Sequence, residues 1–380
     1  MGPLQGVRIV EMGGIGPGPM CAMLLAEMGA TVLRIERKVP AKVGIARPRK
    51  LDLLLRSRGA VAVDLKSPEG VAFLLRLAGK ADALIDTFRP GVMERLGLGP
   101  EPCLARNARL VYGRMTGWGQ SGPLAQAAAH DLNYVSLTGL VHAHGPAGQA
   151  PSIPLNVIGD FGGGALYLAM GLLAGIIEAR TSGKGQVVDA AIVDGVASLQ
   201  TYFWGMRAAG LWTDARGTNS IDGGSHFCQV YQCADGEYVS IAAVEDQFYA
   251  ELLRRMELNP AAIGDHMDPK NWARGRELLA ARFRQKTRAQ WCVLLEGADC
   301  CFAPVLSRAE APAHPHLRER GTFVEVDGVV QPAPAPRFSR TPALQPTPPQ
   351  EVTSANADRA LADWLEPEEI AALRAAGTIL

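Results

Sequence analysis

Short apolar segments alternate with helical segments along the first third of the chain. Apolar runs at residues 7–12, 31–35, 60–65, 83–87 and 110–115 predict buried strands. A helix is predicted at residues 20–28, and a second begins after Ser67, which suits an N-cap, with Pro68 at its first position. Strands and helices in this order predict a parallel sheet with crossover helices, that is, a doubly wound α/β domain.

The rest of the chain predicts longer helices followed by shorter elements. The longer helices are expected at residues 161–180 and 189–211. Strands around Val230 and at 238–242 and charged helices at 246–257 and 275–286 then indicate a smaller α+β domain. The proline-rich residues 331–350 predict a surface linker, and a last helix is expected at 367–376.

These patterns suggest a discontinuous large domain. We predict that residues 1–200 form its first part and that residues 311–380 return to it. Between them we expect a linker helix region at 201–222 and the smaller domain at 223–310.

Composition narrows the class of protein. The 380 residues include 38 basic and 38 acidic side chains. A protein that binds phosphates non-specifically should have a basic excess, so we expect no nucleic-acid partner. With 48% hydrophobic residues, the chain predicts a soluble globular protein. The apolar residues 161–177 contain five glycines and fall just short of a membrane span, so we expect a buried helix and no membrane partner.

The cysteines and the N-terminus bear on compartment. Seven cysteines without regular spacing argue against a disulfide framework and favour a reducing compartment. The first residues lack the basic and apolar regions of a signal peptide. We therefore expect a cytoplasmic protein.

A glycine-rich loop at residues 13–18 follows the first predicted strand. Its position and Glu36, about twenty residues later, resemble a dinucleotide-binding fingerprint. The glycine spacing fails, however, and Pro17 and Pro19 remove amide donors that a pyrophosphate would need. A tight strand-to-helix turn is therefore favoured over nicotinamide binding.

Basic residues cluster in the first two strand and helix units. They fit either a solvated surface balanced by acids elsewhere or a docking site for a polyphosphate such as coenzyme A. The cluster consists of Arg34, Arg37, Lys38, Arg47, Arg49, Lys50, Arg56, Arg58 and Lys66.

Two segments carry candidate proton-transfer groups. His130 and Asp131 stand at a predicted helix start, where exposed amides can stabilise negative charge, although a lone histidine is more often structural. Asp160 lies in an apolar, glycine-rich segment, where burial should raise its pKa, although it fits a helix N-cap equally well.

Other histidines and cysteines lack the spacing of a metal site or a dithiol motif. We interpret them as structural and expect no metal. They are His142 with His144, His226 with Cys228 and Cys233, and the pair Cys300 and Cys301.

Taken together, segments spread over nearly the whole chain resemble the alpha-methylacyl-CoA racemases of the family III CoA-transferase superfamily. The matching segments are residues 4–11, 16–19, 89–92, 114–120, 130–134, 159–164 and 334–338. The resemblance implies a Rossmann-like large domain, a smaller α+β domain and an interlocked homodimer. Its active site would lie between the large domain of one chain and the small domain of the other.

Within the superfamily, the resemblance implies a choice between two chemistries. A racemase would use His130 and Asp160 as an acid/base pair on opposite faces of the α-carbon of a 2-methylacyl-CoA. A transferase would use Asp160 as a nucleophile and lacks the histidine motif, so the presence of both residues favours the racemase and a role in lipid metabolism.

The resemblance also assigns supporting residues. Amides near Asp131 would stabilise the enolate oxygen, Glu245 of the partner chain would tune His130, and Asn156 would stand beside Asp160. No cofactor is implied, because coenzyme A is part of the substrate. The implied CoA contacts are Arg37, Val63, Asp64, Leu65, Lys66, Thr87, Phe88, Arg89, Arg95, Ala129, Leu132, Asn133 and Tyr134.

Two positions depart from the racemase pattern. Ala129 stands where racemases usually have glycine, so the backbone would approach a thioester less closely. The residues around Phe227 are poorer in aromatic side chains. Both departures bear on substrate preference.

Overall fold

The computed structural model describes residues 2–39 and 44–380. The chain divides into two compact units. Unit 1 comprises Met1–Thr138, Leu155–Leu199 and Gly321–Leu380, and unit 2 comprises Gly139–Pro154 and Gln200–Arg320. The domain boundaries expected at residues 200, 222 and 310 stay a prediction.

The elements are as follows. The strands are β1 (Arg8–Met12), β2 (Thr31–Arg37), β3 (Gly59–Val63), β4 (Ala83–Asp86), β5 (Val111–Thr116), β6 (Gln186–Ala191), β7 (Cys228–Gln232), β8 (Tyr238–Ala242), β9 (Phe302–Pro304), β10 (Phe323–Val326) and β11 (Val329–Pro332). The α-helices are α1 (Pro17–Glu27), α2 (Pro68–Ala78), α3 (Val92–Arg95), α4 (Pro100–Arg106), α5 (Asp131–Leu137), α6 (Leu140–Ala143), α7 (Tyr167–Ser182), α8 (Ile192–Leu199), α9 (Thr201–Ala208), α10 (Asp246–Arg255), α11 (Trp272–Phe283), α12 (Arg288–Leu295), α13 (Pro315–Glu319), α14 (Ser354–Leu361) and α15 (Pro367–Ala375). A π-helix, Val157–Leu166, precedes α7.

Unit 1 is built on a six-stranded parallel sheet in the order β3-β2-β1-β4-β5-β6. The order reverses between β1 and β4, which makes the sheet doubly wound, and the carboxyl ends of all six strands share one edge. The predicted parallel α/β fold is confirmed. Ser67 also caps α2 as expected, because its Oγ accepts a hydrogen bond from the N–H of Gly70 at 3.0 Å.

The expected helix at residues 189–211 is wrong over its first part. Residues Gln186–Ala191 form β6, which pairs with β5 in parallel register. The β-branched Val187 and Val188 favour an extended strand, and the helical residues that follow break into α8 and α9 at Gln200. The expected helix at 161–180 begins earlier and in a different form, as the π-helix.

The C-terminal segment is an integral part of unit 1. Ala357, Leu361 and Trp364 are buried in the same core as the strands β2 and β3. A Cβ placed on Gly59 in β3 would lie 2.4 Å from the Cβ of Ala360, so α14 packs directly on the strand backbone. The segment after β11, residues 333–353, has no regular secondary structure.

Unit 2 has a small antiparallel sheet in the order β7-β8-β9. Aromatic side chains fill its core, with Trp291, Phe283 and Phe227 fully buried against α10, α11 and α12. All seven cysteines lie in the described part of the chain and are free thiols.

One helical segment of unit 1 could cross a bilayer by length and composition. It is Val157–Ser182, and 44% of its most apolar window is buried inside the protein. A core helix of a soluble protein meets the same criterion. The expectation of no membrane partner therefore stays a prediction.

A buried ionic network fixes the loop that follows β1. Glu11 is 0% exposed and accepts hydrogen bonds from Arg58 at 2.6 and 3.1 Å and from Arg34. Both arginines also hold the loop backbone: Arg34 donates to the carbonyl of Gly14 at 2.9 Å and Arg58 to that of Pro19 at 3.2 Å. The network therefore ties β1 and β2 to residues 14–19.

We predict that Glu11→Gln lowers the free energy of unfolding by roughly 3–5 kcal/mol, because it leaves two buried guanidinium groups undercompensated. Denaturant titration checks this. The control is Arg76→Gln, which breaks the half-exposed ion pair with Glu369 at 2.7 Å and should cost less than about 1 kcal/mol. An equal, small loss in both variants would contradict the role of the network.

Candidate active site

His130 stands at the N-terminal end of α5. It is the N-cap residue, with extended backbone, and its N–H donates to Oδ1 of Asn133 at 3.1 Å. Its side chain is exposed, whereas Val135 one turn later is buried in unit 1. The helix thus anchors in the core and presents the imidazole at its start.

Asp160 is carried by the π-helix. Such wide helical turns are rare in proteins, and those that occur often lie at functional sites. The carboxylate of Asp131, the first residue of α5, accepts a hydrogen bond from the backbone N–H of Asp160 at 2.7 Å. Asn156 donates through Nδ2 to Oδ2 of Asp160 at 3.2 Å. Asp131 therefore joins the start of α5, where His130 is the N-cap residue, to the π-helix that carries Asp160.

Glycines let these backbones approach. A Cβ on Gly159 would lie 2.1 Å from Oδ1 of Asp131, which would block the contact with Asp160. On the far side of the π-helix, a Cβ on Gly195 in α8 would lie 1.9 Å from the carbonyl oxygen of Gly163. The glycine-rich sequence around Asp160 thus serves close packing on α5 and α8.

The environment of Asp160 favours its neutral form. Its pKa is raised to about 6, mainly by burial and also by the negative charge of Asp131, whereas the hydrogen bond from Asn156 and a charged His130 act in the opposite direction. Burial also raises the pKa of Asp131. A carboxyl group with a pKa near neutrality exchanges protons readily at physiological pH, which suits an acid/base role.

The glycine-rich loop after β1 packs against the sheet and Asp160. A Cβ on Gly14 would lie 2.2 Å from Oγ1 of Thr87, and one on Gly18 would lie 2.2 Å from its Cγ2. Gly16, at φ +68°, faces Asp160, since a Cβ there would lie 3.2 Å from Oδ2. These contacts fill the switch point between β1 and β4 with Thr87, in agreement with a tight turn rather than a pyrophosphate site.

Glu36, the other part of the dinucleotide fingerprint, has a structural role. Its carboxylate accepts hydrogen bonds from Arg34 at 2.8 Å and from Arg49 at 2.9 and 3.0 Å. Burial raises its pKa, but the hydrogen bond from Arg49 and the charge of Arg34 outweigh burial and lower the pKa overall.

The basic cluster is largely structural. Five of its members form ion pairs inside unit 1: Arg34, Arg47, Arg49, Arg56 and Arg58. Lys38 donates to the carbonyl of Gly377. Arg37 is exposed at the end of β2, with its guanidinium 5.7 Å from the ring centre of Phe88. Exposed members of the cluster such as Arg37 and Lys66 therefore remain the candidates for binding a phosphate.

The predicted CoA contacts fall at the carboxyl edge of the sheet. Arg37 ends β2, Val63 ends β3 and is followed by Asp64, Leu65 and Lys66, and Thr87, Phe88 and Arg89 follow β4. Lys66 is exposed, with its N–H bonded to Oδ1 of Asp64 at 3.0 Å. Arg95, also exposed, ends α3. Their roles stay predictions, although one edge of the sheet brings the groups after β2, β3 and β4 together.

The segment around His130 is held by Tyr134. Its hydroxyl donates to the carbonyl of Ala129 at 2.6 Å, and its ring meets Trp118 edge to face at 4.8 Å. A Cβ on Gly117 would lie 2.0 Å from this ring, so glycine is required there. Leu132 and Asn133, also predicted CoA contacts, are exposed on α5.

Glu245 lies in unit 2 as the N-cap residue of α10, with an exposed side chain.

Two of the histidines that the sequence indicates as structural have protein partners. The ring of His226 is fully buried with Nε2 2.8 Å from the hydroxyl of Tyr249, and His144 Nδ1 is 3.2 Å from the carbonyl of Ser152. Within residues 2–39 and 44–380, no group of three or more His, Cys, Asp or Glu side chains could hold a metal ion.

Comparison with known proteins identifies the family. Residues 4–354 match the model of CoA-transferase family III. The chain belongs to this family. It is 42% identical over 343 residues to alpha-methylacyl-CoA racemase from Mus musculus, covering 90% of this chain and 88% of that protein. The Homo sapiens racemase is 40% identical over 342 residues, with the same coverage.

The fold of this family member agrees with solved structures. A CAIB/BAIF family protein from Brucella suis superimposes with a TM-score of 0.80 at 23% identity, covering 97% of this chain and 99% of that chain. The resemblance to family III members and to their fold, expected from the sequence motifs, is confirmed.

Three features of the site could not be predicted from the sequence. The contact of Asp131 with the backbone of Asp160 spans 29 positions, and the apposition of Gly16 and Asp160 spans even more. Neither has a local signal. The π-helix has one, since the glycine-rich residues 159–164 favour unusual backbone geometry, but glycine alone does not specify its form.

We predict that Asp131→Asn lowers the pKa of Asp160 below its value of about 6, because an adjacent negative charge is removed while the amide oxygen can still accept from the Asp160 N–H. NMR titration of ¹³C-labelled aspartate measures this. Asp194→Asn, at an exposed position of α8, should leave the titration of Asp160 unchanged. A raised or unaltered pKa in Asp131→Asn would contradict the electrostatic account.

Proposed function

We propose that the protein is an alpha-methylacyl-CoA racemase that interconverts the R and S epimers of 2-methylacyl-CoA thioesters. The observation that carries the proposal is the connection of His130 and Asp160 through Asp131, with the pKa of Asp160 raised to about 6. The identity of 42% to the mouse racemase supports the same activity.

The proposed reaction is a 1,1-proton transfer. His130 takes the C2 proton of the S epimer, and the bond electrons move into the thioester to give an enolate. Protonated Asp160 then delivers a proton to the opposite face of C2, and the roles reverse for the R epimer. Backbone N–H groups at the start of α5, near Asp131, stabilise the enolate oxygen.

Other residues support this chemistry. Asn156, 3.2 Å from Asp160, holds the carboxyl in place, and the partner's Glu245 tunes the imidazole of His130. Arg37, Lys66 and the residues after β4 bind the CoA moiety at the carboxyl edge of the sheet. The proposed reaction needs no metal or cofactor, because coenzyme A belongs to the substrate.

The proposal predicts that the enzyme in heavy water introduces deuterium at C2 of a 2-methylacyl-CoA. Asp160→Asn and His130→Ala should each slow epimerisation by about 10²–10⁴-fold, the usual contribution of a general acid or base. Mass spectrometry of the recovered thioester measures exchange. The matched control is Asp363→Asn, at an exposed position of unit 1, which should retain full activity. Binding without any exchange would sink the racemase proposal.

A family III transferase would behave differently in the same assay. With Asp160 as nucleophile, the enzyme would form an enzyme-linked CoA thioester that borohydride or hydroxylamine traps. Trapping at Asp160, together with transfer of CoA between two acids and no C2 exchange, would replace the racemase by the transferase.

We also propose that the chain acts as an interlocked homodimer. Leu166, Met170 and Ile177 are 53%, 59% and 69% exposed, and their spacing of four and seven residues puts them on one helical face. An apolar face of this kind on a helix of unit 1 fits burial against a second copy of the chain.

Met170→Glu with Ile177→Glu should yield a monomer, because two carboxylates would be buried in the proposed interface. Light scattering coupled to size exclusion measures the mass, expected to be near twice 40.4 kDa for the unaltered protein. Val293→Glu introduces one carboxylate at the exposed position 293 of α12 and should leave the mass unchanged. A monomeric unaltered protein would refute the dimer.

The cellular setting follows from the same proposal. A racemase for 2-methyl-branched acyl-CoA thioesters belongs to lipid metabolism. Seven free cysteines fit a reducing compartment, and we propose the cytoplasm.

A further inference from the structure

Glu245 stands at a junction between strand and helix. Two residues, Ala243 and Val244, separate it from β8, and it is the N-cap of α10, with its carbonyl accepting from the N–H of Tyr249 at 3.0 Å. In the described chain, its side chain makes no capping hydrogen bond. The direction of the carboxylate therefore depends on how the backbone of the junction is held.

His266 holds the peptide that precedes Glu245. Its Nε2 lies 2.9 Å from the carbonyl oxygen of Val244. Since a carbonyl only accepts, Nε2 carries the proton and donates. His266 is 5% exposed, so water does not compete readily for this bond. The Val244 carbonyl belongs to the peptide that joins Val244 to Glu245.

The ring of His266 is itself clamped in the core of unit 2. It stacks on Tyr249 of α10 with ring centres 4.3 Å apart and an angle of 13°. Phe227 meets the His266 ring edge to face at 5.2 Å. The backbone carbonyl of His266 accepts a hydrogen bond from Nε1 of Trp272 at 2.9 Å. Because these contacts hold the His266 ring in place, its hydrogen bond can restrain the backbone between β8 and α10.

Two further polar groups lie beside this cluster. Asp246 on α10 is 3.8 Å from Nδ1 of His266. His226 Nε2 lies 2.8 Å from the Tyr249 hydroxyl, and burial, the charge of His266 and that of Arg276 lower the pKa of His226 to about 4. The two ring nitrogens of His266 thus face different groups, Nε2 the Val244 carbonyl and Nδ1 the carboxylate of Asp246.

We infer that His266 is a positioning residue for Glu245: its hydrogen bond to the Val244 carbonyl aims the carboxylate of Glu245 at its catalytic partner. The inference rests on the proposed function, in which the partner's Glu245 tunes His130. His266 acts through the backbone and does not touch the substrate.

Two variants separate the hydrogen bond from the packing. His266→Phe keeps an aromatic ring against Tyr249 and removes the donor. His266→Gln keeps an N–H donor for the Val244 carbonyl and removes the ring. Amide hydrogen exchange over residues 244–249, measured on the full chain, should accelerate in His266→Phe and stay near the native rate in His266→Gln.

The kinetic readout should follow the same order. In His266→Phe, kcat for epimerisation should fall by about 10- to 100-fold with KM nearly unchanged, because a catalytic group is displaced while CoA contacts remain. His266→Gln should recover most of kcat.

The control is His314→Gln, which alters a histidine of the same unit that pairs with Glu296 at 2.8 Å and should change neither readout. If the unaltered enzyme fails to exchange the C2 proton, the proposed function falls, but amide exchange still decides the positioning role. Native exchange in His266→Phe, or equal impairment in both His266 variants, would overturn the inference, because packing and not the hydrogen bond would then matter.

Discussion

The structure of unit 1 depends on the buried charge of Glu11. A carboxylate at 0% exposure is tolerable only with strong compensation, and Arg34 and Arg58 supply it. The same two arginines hold the carbonyls of Gly14 and Pro19, so the charge that must be neutralised also fixes the loop after β1. Because Gly16 of this loop faces the carboxylate of Asp160, the position of the ion network and the environment of the candidate acid are linked.

The neutral charge balance of the chain conceals two different uses of charge. Inside unit 1, arginines compensate buried acids, which explains why most of the basic cluster near the N-terminus is unavailable to a phosphate. Asp160 differs, since burial and the neighbouring carboxylate of Asp131 raise its pKa to about 6, and the hydrogen bond from Asn156 offsets them only in part. Buried acids that are fully paired with arginines stabilise the fold, whereas the incompletely compensated charge of Asp160 gives a carboxyl group suited to proton transfer.

Local patterns in the sequence were sufficient for the sheet and for the candidate residues. Apolar runs and caps such as Ser67 are governed by neighbours in the chain, and the structure has five of the six parallel strands where those patterns put them. The strand β6 is not predicted by these patterns, because its residues 189–191 continue directly into α8 and were expected to be helical. The contact of Asp131 with Asp160 joins residues 29 positions apart, so no local pattern encodes it. Motif resemblance located both residues without specifying how they meet.

The glycines show why a shared motif can serve different chemistry. A doubly wound sheet normally leaves its switch point open for a ligand. Here Gly14 and Gly18 admit Thr87 into that space, and Gly159 admits Asp131 against the backbone of Asp160. The close approach that glycine permits is thus used between protein groups, which moves the reactive centre from the first loop to the start of α5 and the π-helix. Substituting the loop glycines would therefore disturb the geometry around Asp160 before it altered any contact with a nucleotide.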